Sequence, residues 1–231
     1  MGLSSVAIIP DGNRRYAQKH SLQLSDAYSR GFAKVNDVLD WAGEFHLQEM
    51  TFWALSLENF EKRSKLELQV LFSLMAKNIR EAMGSKKLLE SNAAIKFFGK
   101  KELLPQGLLK EMSVLEEKTA GNKEFTLNVA VAYSGQDELL HASKLLAADV
   151  QEGRLTVDKI NEKTFSSYLY YNHSPDLIIR TGNVQRLSGF LPYQSAYSEY
   201  YFSPKLWPEF ERNDFAQAVD YYESTQRRFG K

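Results

Sequence analysis

The 231-residue chain contains no cysteine, which excludes disulfide bonds, thiolate catalysis and cysteine-ligated zinc. It has no surplus of either charge, since Lys plus Arg and Asp plus Glu both number 29. Nucleic-acid binders usually carry a basic surplus, so an anionic ligand here would need a local arginine cluster. No stretch approaches the ~18 consecutive apolar residues of a membrane span, and the first residues lack the apolar segment of a signal peptide. We therefore expect a cytoplasmic protein with no transmembrane segment and no nucleic-acid partner.

The chain has the composition of an ordinary globular protein, with 43% hydrophobic residues and enough length for one large α/β domain. It shows no repeat, low-complexity tract or linker, so we predict a single domain over residues 1–231. Short apolar runs predict strands at 6–9, 50–55, 94–98, 125–132 and 176–179, and a short sixth at 200–202. Helical periodicity predicts helices at 26–45, 66–89, 107–119, 136–152, 156–170 and 213–228. This alternation indicates a mostly parallel sheet of about six strands flanked by helices.

Four polar segments follow predicted strands, at residues 11–15, 56–63, 133–137 and 180–188. Because the carboxyl ends of parallel strands meet at one edge of a sheet, and ligands bind beyond that edge, the four segments are expected to lie together. A helix cap or a solvated loop is the usual explanation of any one of them. Four on one edge, two of them rich in arginine, predict an anion pocket.

The segment Asp11-Gly12-Asn13-Arg14-Arg15 is the most informative of the four. An aspartate can hold a hard cation such as Mg²⁺ together with substrate phosphates, and an arginine can grip the same phosphates as a bidentate fork. The glycine allows backbone N–H groups to approach a phosphate. The alternative is a surface turn with solvated charges.

The segments DGNRRYA (11–17), SLENF (56–60), RTGNVQRLSGFLPYQSAYSEYYF (180–202) and Arg228-Phe229-Gly230 resemble the cis-prenyltransferases, also called the undecaprenyl diphosphate synthase family. The resemblance runs in order over nearly the whole chain. It implies an enzyme that condenses an allylic prenyl diphosphate with isopentenyl diphosphate, cis and head-to-tail, with Mg²⁺ as cofactor and release of diphosphate. It also implies a homodimer and a hydrophobic tunnel, and the product of such a reaction can associate with membranes.

The resemblance also implies roles for individual residues. Asp11 corresponds to the essential aspartate that binds the metal, Glu199 to a second metal ligand, and Asn59 to a residue implicated in proton removal. Tyr28 stands where many members have histidine. The residues implied to bind substrate are Gly12, Asn13, Arg14, Arg15, Tyr16, Tyr28, Ser56, Glu58, Phe60, Lys62, Arg180, Arg186, Ser188, Arg228 and Gly230, of which the last two reach the partner subunit's site.

Several positions depart from the family pattern. Val184 replaces a glutamate and Gln136 an arginine, and each change removes a charge. Lys62 replaces an arginine and keeps the charge, but a lysine cannot reproduce the bidentate fork. The acceptor therefore stays open: isopentenyl diphosphate, a second allylic diphosphate such as dimethylallyl diphosphate joined in a non-head-to-tail way, or a hydroxyl. A non-catalytic partner subunit is less favoured because Asp11 is kept. A nucleotide-binding protein is disfavoured because no glycine-rich phosphate motif follows the first strand.

An apolar stripe on the predicted helix 66–89 is either plain core or a wall of the tunnel. Neighbouring Phe52 and Trp53 point to opposite faces of the second strand, so only one of them can narrow the tunnel, and we expect a short or medium product. The stripe consists of Leu68, Leu71, Phe72, Met75, Ile79 and Met83.

Overall fold

The computed structural model describes residues 2–225, apart from the side chains of Lys87 and Leu89. The predicted roles of Arg228 and Gly230 lie outside these residues. Six strands form one sheet in the order β3-β4-β2-β1-β5-β6, and all five pairings are parallel. The strands are β1 (Ser5–Ile9), β2 (Glu49–Ser56), β3 (Ala93–Phe98), β4 (Phe125–Tyr133), β5 (Leu177–Arg180) and β6 (Glu199–Phe202). The predicted α/β class and six-stranded parallel sheet are confirmed.

Helices follow the strands along the chain and flank the sheet. They are α1 (Asn13–Lys19), α2 (Leu24–Glu44), α3 (Leu57–Lys62), α4 (Lys65–Gly84), α5 (Lys86–Glu90), α6 (Gln106–Thr119), α7 (Gly135–Gln151), α8 (Glu162–Ser166) and α9 (Arg212–Ser224). Short 3-10 turns occupy Lys101–Leu103, Val157–Lys159 and Trp207–Glu209. Among residues 2–225, no helix is both long and apolar enough to pass through a bilayer.

Three predicted helices differ from the observed ones. The long helix at 66–89 divides into α4 and α5 because Ser85 adopts an extended conformation. The stretch at 156–170 contains only a 3-10 turn and the short α8, whose N-cap is Asn161. The last helix begins at Arg212 rather than 213, because Glu211 and Asp214 form a reciprocal capping box.

The sheet has a packed core on each face. On one face, β-strand side chains such as Ile8 and Phe52 pack in one cluster with residues of α2, α4, α6 and α9. On the other face, Ile9 and Trp53 join a second cluster with Phe190. The opposite placement of Phe52 and Trp53 follows from the alternation of side chains along a strand.

The register of the strands brings the polar segments to one edge. Ile9 is aligned with Arg180, and Ser56 with Tyr133, so the chain leaves β1, β2, β4 and β5 on the same side. Gly12, at φ 118, turns the chain from β1 directly into α1. The predicted clustering of the four segments at the carboxyl edge is confirmed.

Candidate active site

The Asp11 carboxylate lies between two arginines at the carboxyl edge of the sheet. Its Oδ1 atom is 3.0 Å from Nη2 of Arg15, and its Oδ2 atom is 2.8 Å from Nη2 of Arg180. The Arg180 side chain is 7% exposed, whereas those of Asp11 and Arg15 are 31% and 45% exposed. The Arg180 guanidinium is therefore the buried one, and Arg15 remains accessible to a ligand.

Backbone contacts fix the position of Asp11 and Arg15. The Asp11 carbonyl accepts hydrogen bonds from Trp207 N at 3.0 Å and from Thr181 Oγ1 at 2.8 Å. The Gly182 carbonyl accepts one from Arg15 Nη1 at 2.5 Å. Gly182 has φ +90, and a Cβ there would overlap the Arg15 guanidinium. A glycine at position 182 is thus required both by the backbone conformation and by the close approach of Arg15.

Arg180 is also held by the loop that follows β5. Its Nη1 atom donates to Ser188 Oγ at 2.9 Å and to the Arg186 carbonyl at 2.5 Å. Ser188 has φ 55, a left-handed conformation that is uncommon for a residue with a side chain. Ser188, which the resemblance assigns to substrate binding, therefore contacts Arg180 in this structure.

Tyr28, Glu67 and Arg63 form a second cluster at the site. The Tyr28 hydroxyl donates to Glu67 Oε1 at 2.6 Å, and Arg63 Nε lies 3.2 Å from the same oxygen. The Arg63 guanidinium carbon lies 5.5 Å from the centre of the Tyr28 ring. Burial and the hydrogen bond to Glu67 raise the pKa of the Tyr28 hydroxyl, so it stays a neutral donor. Glu67 and the Tyr28 ring restrict the position of Arg63, so that an anion bound there would cost the side chain less entropy.

A cavity of about 1560 Å³ begins at these residues. It exceeds the roughly 300–1,000 Å³ of typical small-molecule pockets. It extends from Asp11 at the carboxyl edge to Gln48 and Glu124 near the amino ends of β2 and β4. Between these ends it is lined mainly by apolar side chains: Phe32, Val35, Leu39, Phe52, Leu71, Met75, Ile79, Ile95, Phe97, Leu127 and Val129. The predicted hydrophobic tunnel is confirmed, and Leu71, Met75 and Ile79 of the apolar stripe form part of its wall.

Charge is distributed unevenly along the cavity. The end at the carboxyl edge has two carboxylates, Asp11 and Glu58, and a larger group of cations. A cationic entrance to an apolar cavity suits an amphipathic ligand with an anionic head and a hydrocarbon tail. The cations are Arg14, Arg15, Lys62, Arg63, Arg180 and Arg186.

Most of the site residues expected from the sequence line this cavity: Asp11, Gly12, Asn13, Arg14, Arg15, Tyr28, Ser56, Glu58, Asn59, Lys62, Arg180, Arg186 and Ser188. Tyr16 and Phe60 do not. The Tyr16 hydroxyl accepts a hydrogen bond from Arg30 at 3.3 Å, and the Phe60 ring lies 6.4 Å from that of Phe72. Tyr16 and Phe60 therefore support the site from neighbouring positions.

Glu199 is distant from Asp11 within one chain. It is the first residue of β6 and is aligned with Leu177, which is aligned with Val6 at the start of β1. The three residues from Val6 to Ile9 already span ~10 Å along the strand, and Asp11 lies beyond them. The expectation that Glu199 and Asp11 bind one metal is therefore not met within a single chain.

Asp11 alone fits a Mg²⁺ ion at this site. A carboxylate offers about four acceptor positions, and the two arginines occupy two of them. Mg²⁺ is commonly bound by one or two carboxylates together with substrate phosphates. Residues 2–225 contain no group of three or more His, Asp or Glu side chains that would bind a metal by themselves. The metal would thus depend on the phosphates of the substrate.

The sequence analysis missed Arg63 and Glu67. It assigned the cation of this segment to Lys62, whereas the half-buried, ion-paired guanidinium is that of the next residue. The spacing of four residues between Arg63 and Glu67 is a signal for an ion pair. What the sequence could not show is that α2 places Tyr28 against both.

Comparison with known proteins identifies the family. Residues 9–230 match the Prenyltransf family, described as "Putative undecaprenyl diphosphate synthase". The chain is 38% identical over 228 residues to a tritrans,polycis-undecaprenyl-diphosphate synthase (geranylgeranyl-diphosphate specific) of Thermoplasma acidophilum, a match that covers 98% of this chain and 88% of that protein. It is 40% identical to a protein of the same description from Thermoplasma volcanium, with the same coverage.

Two solved structures share the fold over its whole length. One is lavandulyl diphosphate synthase from Lavandula x intermedia in complex with dimethylallyl diphosphate, with a TM-score of 0.92, 33% identity, and coverage of 99% of this chain and 98% of that chain. The other is a probable undecaprenyl diphosphate synthase from Campylobacter jejuni, with a TM-score of 0.81, 27% identity and full coverage of both chains. The chain therefore belongs to the cis-prenyltransferase family of enzymes.

Proposed function

We propose that the protein condenses an allylic prenyl diphosphate with isopentenyl diphosphate, cis and head-to-tail, with release of diphosphate. The observation that carries this proposal is the group of cations, with Asp11 among them, at the entrance of a large apolar cavity. The cations suit the two diphosphates, and the cavity suits the growing hydrocarbon chain. Because the relatives from Thermoplasma are described as geranylgeranyl-diphosphate specific, geranylgeranyl diphosphate is the first donor to test.

The protein's own groups support ionisation of the allylic donor. Negative charge develops on the departing diphosphate, and Arg15 and Arg14 line the cavity where they can stabilise that charge. The apolar wall keeps water from the allylic cation. Mg²⁺ bound at Asp11 would neutralise further charge on the leaving group.

The second substrate then attacks through its double bond and loses one proton. Arg180 and Arg186, at the cavity entrance, are the residues proposed to bind its diphosphate. Asn59 lines the same cavity at the start of α3, where its backbone N–H donates to Ser56 Oγ at 3.0 Å. Because asparagine is not a strong base, we propose that it directs the proton to a phosphate oxygen or to water.

A turnover assay tests this function. The purified protein would be incubated with Mg²⁺ and with dimethylallyl, geranyl, farnesyl or geranylgeranyl diphosphate, each with and without isopentenyl diphosphate. Diphosphate release and the mass of the product would be measured. The proposal requires longer products that form only when isopentenyl diphosphate is present; no product with any donor would refute it.

A second candidate uses an allylic diphosphate as the acceptor as well. It is favoured by the structural similarity to an enzyme solved with dimethylallyl diphosphate, and by the loss of charge at Val184 and Gln136. The same assay separates the two, because this candidate requires a product from dimethylallyl diphosphate alone. A hydroxyl acceptor would show as a prenyl ether, and only when an alcohol is added.

Homodimer assembly and cytoplasmic location remain predictions from the sequence and the family resemblance. The position of Glu199 adds one point to the first: a contribution of Glu199 to a metal at Asp11 would have to come from a second copy of the chain. Light scattering at several concentrations would measure the oligomeric state.

A further inference from the structure

The loop after β5 is tied to a carboxylate that does not line the cavity. Glu138, in the first turn of α7, is completely buried. Its Oε2 atom accepts hydrogen bonds from Tyr133 Oη at 2.7 Å and from Gln194 Nε2 at 3.0 Å, and its Oε1 atom accepts one from Tyr171 N at 3.0 Å. Gln194 closes the arrangement by donating to the Tyr171 carbonyl at 2.6 Å. Glu138 therefore connects β4, the segment before β5 and the far end of the loop.

The loop, defined here as residues 183–194, packs closely on the same region. Gly135 N donates to the Gly189 carbonyl at 2.9 Å, and the Pro192 ring occupies the space that a Cβ on Gly135 would fill. The Phe190 ring stacks on Trp53 at 5.0 Å between centroids. The second half of the loop, residues 189–194, is thus packed against the start of α7 and against Trp53.

Three non-glycine residues of the loop lie in the left-handed region: Asn183 at φ 55, Ser188 at φ 55 and Leu191 at φ 48. Asparagine tolerates this conformation, whereas the side chains of Ser188 and Leu191 disfavour it. Such conformations persist where the surrounding structure imposes them, and they are concentrated at functional sites. Ser188 in this conformation directs its Oγ atom to Arg180, which in turn contacts Asp11. A continuous series of contacts therefore runs from Glu138 through the loop to Asp11.

We propose that Glu138 is a positioning residue for the active site, which holds the loop in the one conformation that places Ser188 and the Arg186 carbonyl on Arg180. Glu138 touches no substrate, and its effect on the reaction passes through Arg180 and Arg186. The kinetic part of this inference rests on the proposed function, in which these two arginines bind the diphosphate of the second substrate.

The side-chain chemistry predicts a graded series of variants. Glu138 accepts from three donors, so Glu138→Ala leaves Tyr133 Oη and Tyr171 N without their acceptor in a buried place, while Gln194 Nε2 keeps its hydrogen bond to the Tyr171 carbonyl. Glu138→Gln keeps one oxygen, and the buried Gln194 Oε1 atom, which has no partner among the described residues, can accept from the new amide after rotation. The KM for the second substrate and the exchange rate of the loop amides in Glu138→Gln are therefore expected to lie between those of the wild type and those of Glu138→Ala.

Glu49 supplies a matched control at the other end of the sheet. Its Oε1 atom accepts from Tyr171 Oη at 2.9 Å and from Asn128 Nδ2 at 2.5 Å, and its Oε2 atom lies 3.0 Å from His173 Nδ1. Glu49→Ala thus breaks a similar polar network that shares Tyr171 but is remote from the loop. The Glu49→Ala variant therefore shows how much KM and amide exchange change when a half-buried carboxylate is lost but Arg180 is not displaced.

The test combines kinetics with hydrogen–deuterium exchange. In Glu138→Ala, the KM for the second substrate should rise on the order of 10-fold or more, with a smaller change in kcat, because a displaced binding group weakens productive orientation. Glu138→Gln should show a smaller rise, and Glu49→Ala none. In the absence of substrates, the amides of residues 183–194 should exchange faster in both Glu138 variants than in wild type or Glu49→Ala.

Two results would overturn the inference: exchange of the loop that is the same in Glu138→Gln as in Glu49→Ala, or an equal KM change in the two alanine variants. Because the exchange measurement needs no turnover, it tests whether Glu138 holds the loop even if the proposed function fails. If Glu138→Ala does not fold, the exchange and KM of Glu138→Gln decide.

Discussion

Nη2 of Arg180 lies 2.8 Å from Oδ2 of Asp11, and the arginine side chain is almost completely buried. The carboxylate charge is thus balanced by a fixed guanidinium on the inner side, while Arg15 approaches from the exposed side. A metal ion or a diphosphate that enters the site adds to an existing arrangement of charges.

Asp11→Asn should separate activity from stability. The asparagine oxygen can still accept from one arginine, so the free energy of unfolding should fall by only ~1 kcal/mol. Turnover should fall by at least about 10²-fold, because the charge that would hold Mg²⁺ is removed. Urea unfolding and diphosphate release measure the two effects. Asp11→Ala is the harsher comparison, since it removes the hydrogen-bond acceptor of Arg15 and Arg180 as well as the charge. An asparagine variant with near wild-type turnover would contradict the role assigned to Asp11.

Arg63→Ala should raise the KM for a diphosphate substrate more than Lys62→Ala does. Arg63 is fixed by Glu67 and stacked beside Tyr28, whereas Lys62 is exposed and has no recorded partner among residues 2–225. The rise in KM for Arg63→Lys should lie between the rises for Arg63→Ala and Lys62→Ala, because a lysine keeps the charge but its ammonium cannot form the bidentate fork. Steady-state kinetics with each substrate varied in turn provides the measurement. Equal rises in KM for Lys62→Ala and Arg63→Ala would contradict a special role of Arg63 in binding the diphosphate.

Phe52→Ala should shift the product to greater length, because Phe52 packs on the tunnel face of β2 with its ring 5.9 Å from that of Trp207. Trp53→Ala is the matched control: Trp53 also borders the cavity, but its ring stacks on Phe190 on the opposite face of the sheet. Each truncation should lower the free energy of unfolding by ~3–5 kcal/mol. If Phe52→Ala is too unstable to assay, Phe52→Leu can be used in its place, because it removes the ring but leaves a smaller apolar side chain. Mass analysis of the products decides, and an unchanged length in both Phe52 variants would refute this role.

Glu209 should make stability depend on pH in the acid range. Hydrogen bonds from Lys19 and His20 lower the pKa of its carboxyl, with Lys19 Nζ at 2.6 Å. A lowered folded-state pKa means that the stabilisation is complete above the ordinary glutamate pKa and is lost as the pH falls through the folded-state value. Because Lys19 is largely exposed, the contribution should not exceed ~1 kcal/mol.

Glu209→Gln supplies the comparison for this pH dependence. The difference in melting temperature between wild type and the variant should be present at pH 7 and should shrink below about pH 4. A difference that is unchanged across this range would show that the contacts of Glu209 do not depend on its charge.

Much of the fold was predictable because local and tertiary signals agree. The β-branched runs that form β1 and β5 are buried on both faces, as parallel strands usually are, and the alternation with helices allows few other topologies. Helix ends were less predictable, since they depend on single residues. Ser85 ends α4 by adopting an extended conformation that its sequence context does not demand.

The site was predictable where one segment carries all the information, as in residues 11–15. It was not predictable where the chain brings distant segments together. The Tyr28 hydroxyl meets Glu67 across 39 positions of sequence, and Glu138 meets Gln194 across 56. The distance between Glu199 and Asp11 within one chain has the same origin: a motif near β6 suggests a ligand, but only the register of β5 and β6 shows which end of the sheet it occupies.

The cavity along α2 and α4 has a consequence for how the protein responds to heat. A side chain that borders open space lacks the contacts that a filled interior would give it, so a hydrocarbon chain of the right length supplies packing that the polypeptide alone does not. Such an occupant stabilises the native state by mass action, by about 2.7 kcal/mol when its concentration is 100 times Kd. The melting temperature thus becomes a gauge of lipid fit, able to rank chain lengths before any catalysis is measured.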